Sequence, residues 1–130
     1  MKTMKFLIVI ILLIAIQSLS AQVITDKWKA MNDYHALLFT FLKSAEDGNF
    51  KVIKGNSDEL LKRVDLLDTT TMPQELRTPQ VEHAILLLKK QTKLVDELVK
   101  NKAPNAEIMR AFQNLYDIYN RLALLSEPRR

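Results

Sequence analysis

From Ile24 onward, apolar residues recur at intervals of three and four along almost the whole chain, and only two glycines and four prolines interrupt them. Such spacing gathers side chains on one face of a helix, and no segment alternates as a strand does. The first stripe is Ile24, Trp28, Met31, His35, Leu38, Leu42 and Ala45, widened by Phe39 and Phe41, and it predicts a helix over Ile24–Glu46. Asp47-Gly48-Asn49 then reads as a stop and a turn.

A second stripe, Phe50, Ile53, Ser57, Leu60, Val64 and Leu67, fits a continuous helix from Asn49. Gly55-Asn56 followed by Glu59 also resembles a cap with its capping-box partner, which would restart the helix at Ser57. A kink or a small-residue contact at Gly55 satisfies both patterns. Asp68–Arg77, with Thr69-Thr70-Thr71 and Pro73, is the longest stretch without period and is expected to be a crossover loop.

Thr78-Pro79 supplies a cap residue and then a proline where a missing N–H does no harm. Val81, Ile85, Leu88, Thr92, Val95 and Val99 carry a third helix to about Lys100. Lys100-Asn101-Lys102 with Pro104 closes it and opens a fourth from about Asn105, with Ile108, Phe112, Leu115, Tyr119, Leu122 and Leu125 on its face, ending before Pro128. Four helices of roughly 18–24 residues, about 27–36 Å each, match in length. Short turns after the first and third make antiparallel neighbours. The expected fold is therefore all-α, an antiparallel up-down four-helix bundle.

The first 21 residues read differently. Lys2 and Lys5 precede the eleven-residue apolar run Phe6–Ile16, and Ser18, Ser20 and Ala21 offer a small-residue exit. That is the pattern of a signal peptide cleaved near Ala21/Gln22, too short to span a membrane. Its removal leaves residues 22–130 as one domain, expected in the periplasm or secreted. No membrane span is expected after cleavage.

The leader takes two of the 19 basic residues, leaving 17 against 15 acidic ones. So small a surplus gives no electrostatic case for nucleic acid. Lys89, Lys90 and Lys93, answered by Asp96 and Glu97, are expected on a solvated helix face. The chain has no cysteine, which excludes disulfides, thiolate metal sites, a cysteine nucleophile and c-type haem attachment.

Candidate functional groups are few. Met31 and His35 stand one turn apart on the first stripe, and a thioether with an imidazole suits copper, or His35 suits an axial haem position. The alternative is a half-buried core histidine. His83 lies off its stripe and is expected at the surface. Met72 and Met109 are too scattered for a methionine-rich copper motif. Trp28, Tyr34, Tyr116 and Tyr119 are core residues or, if exposed, a partner surface. Asp58-Glu59 and Asp96-Glu97 are adjacent in sequence and point apart on a helix, so neither pair forms an acid–base dyad. No nucleophile–base pair or phosphate loop appears, and the chain is not expected to be an enzyme.

Three strings carry a resemblance: Tyr34-His35-Ala36-Leu37 with Leu42, Leu60-Leu61-Lys62-Arg63-Val64-Asp65, and Arg110-Ala111-Phe112-Gln113-Asn114-Leu115-Tyr116. Together they resemble the exported helical domain of unknown function that accompanies bacterial copper and heavy-metal efflux adaptors. Members of that family often continue into a copper segment bearing Cys, Met and His, whereas this sequence ends at Arg130 without one. The resemblance implies a non-catalytic binding or accessory role in metal homeostasis, with an unidentified protein or metal as partner. The architecture is also similar to the small soluble periplasmic b-type cytochromes, which hold haem between a Met on the first helix and a His near the end of the last. Met31 or His35 would fill the first place, and Tyr119-Asn120 occupies the second. That likeness implies the alternative function of a haem-binding electron carrier.

Overall fold

The computed structural model describes residues 24 and 27–126; the expected leader, Met1–Ala21, lies outside them. Among the described residues four helices follow one another: α1, Lys29–Glu46; α2, Lys51–Asp65; α3, Pro79–Lys100; and α4, Asn105–Leu125. Each packs on the next, and α1 closes the ring on α4. The result is the antiparallel up-down four-helix bundle that the periodicity predicts. Among the described residues there is no strand, and no helix is long and apolar enough to cross a membrane.

The two short connections are built alike. After α1, Gly48 N–H donates to Ala45 and Asn49 N–H to Ser44, the paired bonds of a Schellman ending. Gly48 sits at φ +79°, a left-handed conformation that glycine adopts without a Cβ penalty. After α3, Lys102 N–H donates to Val99 and Ala103 N–H to Leu98, so the same ending is repeated. There the left-handed position, φ +57°, is held by Lys102. Both endings turn the chain straight back, which makes α1–α2 and α3–α4 antiparallel hairpins.

The helix expected over Ile24–Glu46 is broken at Trp28. Ile24 and Lys27 are helical, α1 proper starts at Lys29, and Trp28 between them is extended (φ −131°, ψ 100°). Its indole is buried beneath the crossover loop, where Nε1 donates to Thr71 Oγ1 at 3.1 Å. Thr71 in turn donates to the Leu66 carbonyl, and Asp68 accepts from the backbone of Thr70 and Thr71. These bonds hold the Asp68 carboxyl below its ordinary pKa, the Thr70 hydroxyl contributing most. The loop then makes one 3-10 turn, Gln74–Leu76, and enters α3 through Thr78, whose hydroxyl accepts from Val81 N–H.

α2 resolves its two readings as a kink. Asn56 has non-helical angles (φ −135°, ψ 15°) within the helix, and its side-chain amide donates to the Val52 carbonyl. Gly55 makes no close approach, since nothing lies within 4 Å of where its Cβ would be. The kink, not a small-residue contact, reconciles the signals.

The core runs the length of the bundle and includes Met31, Leu38, Phe41, Ile53, Leu60, Leu88, Phe112, Leu115 and Leu122. In α1 the inward position next to the third turn is Tyr34, fully buried, while His35 is displaced to the flank. At the end of α4, Leu125 is 47% exposed, so the stripe leaves the interior one turn early.

The twin endings give a direct comparison. Lys102→Gly relieves a left-handed lysine and is expected to raise stability by about 1 kcal/mol, whereas Gly48→Ala lowers it by about 1–2 kcal/mol. Denaturant unfolding of both variants checks the two signs.

Candidate functional site

Two regions carry chemistry: the seam between α1 and α4, and the outer face of α3 and α4. The seam is aromatic. His35 stacks on Tyr119 at 4.7 Å between ring centroids and lies 6.1 Å from Phe39. Deeper in, Phe41 meets Phe112 at 6.2 Å, and towards the rim Lys43 stands over Phe39. Ring contacts of this separation add to simple area burial.

The candidate ligands of the first stripe are therefore divided. Met31 is fully buried and His35 half-buried. Burial pushes the His35 pKa down, so its imidazole is kept neutral near pH 7. Among the described residues, no three His, Asp or Glu side chains gather where they would hold a metal ion. His83 is exposed, as its position off the stripe predicts.

Haem does not fit these residues. Tyr34, Phe41, Phe112 and Tyr119, each at 0% exposure, occupy the space between α1 and α4 that a porphyrin would need. The place on α4 facing His35 is taken by the Tyr119 ring itself.

The polar groups of the interior are joined to one another. Thr92 donates to the Leu88 carbonyl at 2.7 Å, which uses its one hydroxyl proton. The bond of 3.0 Å between Tyr34 and Thr92 is therefore donated by the Tyr34 phenol. It links α1 to α3 diagonally through the core, and burial raises the phenol pKa far above its usual value. Beside it, Ser57 donates to Asp96 Oδ1 at 2.8 Å, and Lys100 Nζ lies 2.7 Å from Asp96 Oδ2. Asp96 is 2% exposed, which corrects the reading of its surroundings as a solvated charged face. Its carboxylate anchors α2 to α3, and Lys100 is held protonated chiefly by that hydrogen bond. Tyr119 Oη is the exception: it is buried with no hydrogen-bond partner among the described residues.

On the outside of α3 and α4 lies a groove of about 580 Å³ whose apolar wall is Leu87, Leu94 and Ile118. It continues into a second depression of about 460 Å³ beside Ala111. Leu87 and Leu94 are 42% and 41% exposed. Gln91 crosses the seam to donate to the Ala111 carbonyl at 2.9 Å. The charged residues Lys90, Lys93, Glu97, Glu107, Arg110 and Asp117 border these depressions and are exposed. The sequence reading missed this face. Its signal is the seven-residue spacing of Leu87 and Leu94, and of Ala111 and Ile118, behind the stronger inward stripes.

Comparison with protein-family models, with curated proteins and with solved structures returned no match.

The two buried tyrosines should respond oppositely to loss of their hydroxyls. Tyr34→Phe removes a made hydrogen bond and is expected to cost about 0.5–1.5 kcal/mol, whereas Tyr119→Phe removes an unmade one and leaves stability unchanged or raises it by about 1 kcal/mol. Thermal or chemical denaturation of the pair distinguishes them.

The seam also predicts a pH response. Because the His35 pKa is lowered from 6.5 in the fold, the unfolded chain takes up that proton first, and protonation favours unfolding. His35 then contributes full stability above about pH 7, and the contribution declines as pH falls through the ordinary imidazole value. His35→Gln should flatten this decline, measured as the change in Tm between about pH 7.5 and pH 5.5.

Proposed function

We propose that the chain is an exported, non-catalytic helical-bundle protein of the periplasm or extracellular space that acts by binding a partner. The observation that carries this reading is the open apolar groove of α3 and α4, with two leucines about two-fifths exposed. Apolar surface of this kind rimmed by charge is the usual form of an interaction face. Interior chemistry has less support: Ser57, Asp96 and Lys100 engage one another, and so do Tyr34 and Thr92. The leader-like pattern of Met1–Ala21 supports export.

A metal-homeostasis setting, suggested by the resemblance to the efflux-associated domain, would draw on His35 and Met31. The half-buried, neutral imidazole favours this, because a metal ligand must be deprotonated. In that setting His35 supplies the accessible donor, while Met31 lies fully buried in the core. Copper then contributes a soft cation, and the protein contributes a flank of α1 dry enough to keep imidazole uncharged.

Expression of the full chain in a Gram-negative host, followed by fractionation and intact-mass measurement, tests export. Expected is a periplasmic product beginning at Gln22; an unprocessed cytosolic product would sink it. Calorimetric titration of that product with Cu(I) should give a Kd tighter than about 1 mM that is lost in His35→Ala, and absence of heat would remove the metal role.

A further inference from the structure

We infer that the docked start of the bundle closes the leader's own cleavage site, so that the leader is cut before Ile24 and Trp28 pack or not at all. The inference rests on the reading of Met1–Ala21 as an export leader and adds the stage of folding at which it is removable.

The chain itself sets the distance. Cleavage adds water across the Ala21–Gln22 amide, leaving a carboxylate on Ala21 and an amino group on Gln22. Only Val23 stands between Gln22 and Ile24, and the Ile24 side chain is fully buried. At no more than about 3.6 Å per residue, the scissile bond lies within about 10 Å of a residue packed in the core. A peptidase that reads a strand needs residues on both sides of the bond extended and open to its own edge. Ile24 is neither. It is helical, and its carbonyl accepts from Trp28 N–H at 3.0 Å.

The ties that hold this turn come from far along the chain. Trp28 is 1% exposed, and its indole Nε1 donates to Thr71 Oγ1 at 3.1 Å. Thr71 is fixed in turn by its bond to the Leu66 carbonyl. Lys27 Nζ lies 3.4 Å from Glu75 Oε2, an exposed pair that adds little. Thr71 and Glu75 both belong to the crossover segment, so the turn has nothing to dock on until that segment has folded. The unfolded chain therefore offers the Ala21–Gln22 bond freely, and the finished bundle withholds it. Reopening requires Ile24 and Trp28 to leave the core together, because the backbone bond between them couples their release. Cutting of the folded chain then follows the small fraction of molecules opened in this way.

The test compares the full chain, refolded in detergent micelles with its leader attached, with a synthetic peptide of residues 10–27. Both are incubated with a signal peptidase, and products are followed by mass spectrometry. The peptide should be cut at Ala21–Gln22, and the folded chain at least about a hundredfold more slowly. Thr71→Val removes the acceptor of the indole bond without altering the sequence at the cut, and should speed cutting of the folded chain about fivefold. Thr71→Ser keeps the hydroxyl and should stay slow. Circular dichroism checks that all three chains are folded. A folded wild type cut as fast as the peptide overturns the proposal, as does a folded Thr71→Val chain cut no faster than the wild type. A peptide that is not cut removes the leader reading and the proposal with it, so the two failures are distinguishable.

Discussion

Three of the four helix contacts in this bundle follow from chain connections, whereas α1 meets α4 with none of its own. That closure is made by rings: His35 on Tyr119, and Phe41 on Phe112. Aromatic side chains suit the task because they reach across a wider gap than aliphatic ones while losing few rotamers. The closure also determines what the interior can be. Once Tyr34, Phe41, Phe112 and Tyr119 fill the space, a planar cofactor has nowhere to enter. The residues that complete the fold thus fill the space that a haem between α1 and α4 would need.

Polar atoms inside a bundle are tolerated when each finds a partner. The kink at Asn56 is what brings this about in α2: it changes the helix direction one residue before Ser57, whose hydroxyl then reaches Asp96. Asp96 is in turn neutralised by Lys100, whose ammonium group stays largely in solvent. Burying the carboxylate while leaving its cation wet limits the desolvation cost that a wholly buried pair would carry. Tyr34 and Thr92 make the corresponding tie along the diagonal. These bonds orient the helices.

Much of this was legible in the chain. The stripes gave the number of helices, their order and most of the core, and Thr78-Pro79 marked a helix start that the structure reproduces. Errors arose where local pattern leaves two choices. Tyr34 and His35 are 100° apart on a helix, and either continues the first stripe; the diagonal bond to Thr92 decides for Tyr34, and no local spacing reveals it. Trp28 also fits the stripe, yet its indole is captured by Thr71, a residue 43 positions away. Asp96 looked like one more surface charge because its partner Ser57 lies on another helix. Lys102 shows the limit from the other side, a left-handed position without the glycine that would announce it.

The outer groove was hidden for a different reason. A helix that carries two apolar stripes shows mainly the stronger one, and in α3 the inward run from Val81 to Val95 masks Leu87 and Leu94. Such doubling has a physical meaning. A helix needs one apolar face to join its own bundle, and a second at heptad spacing adds exposed leucine that an isolated molecule has no use for. Among the described helices α3 and α4 are also the two longest, 22 and 21 residues against 18 and 15. They are cross-tied by Gln91 to the Ala111 carbonyl, which makes the pair a stiff platform. A stiff platform loses little conformational freedom on association, so even a modest apolar contact suffices to hold a partner.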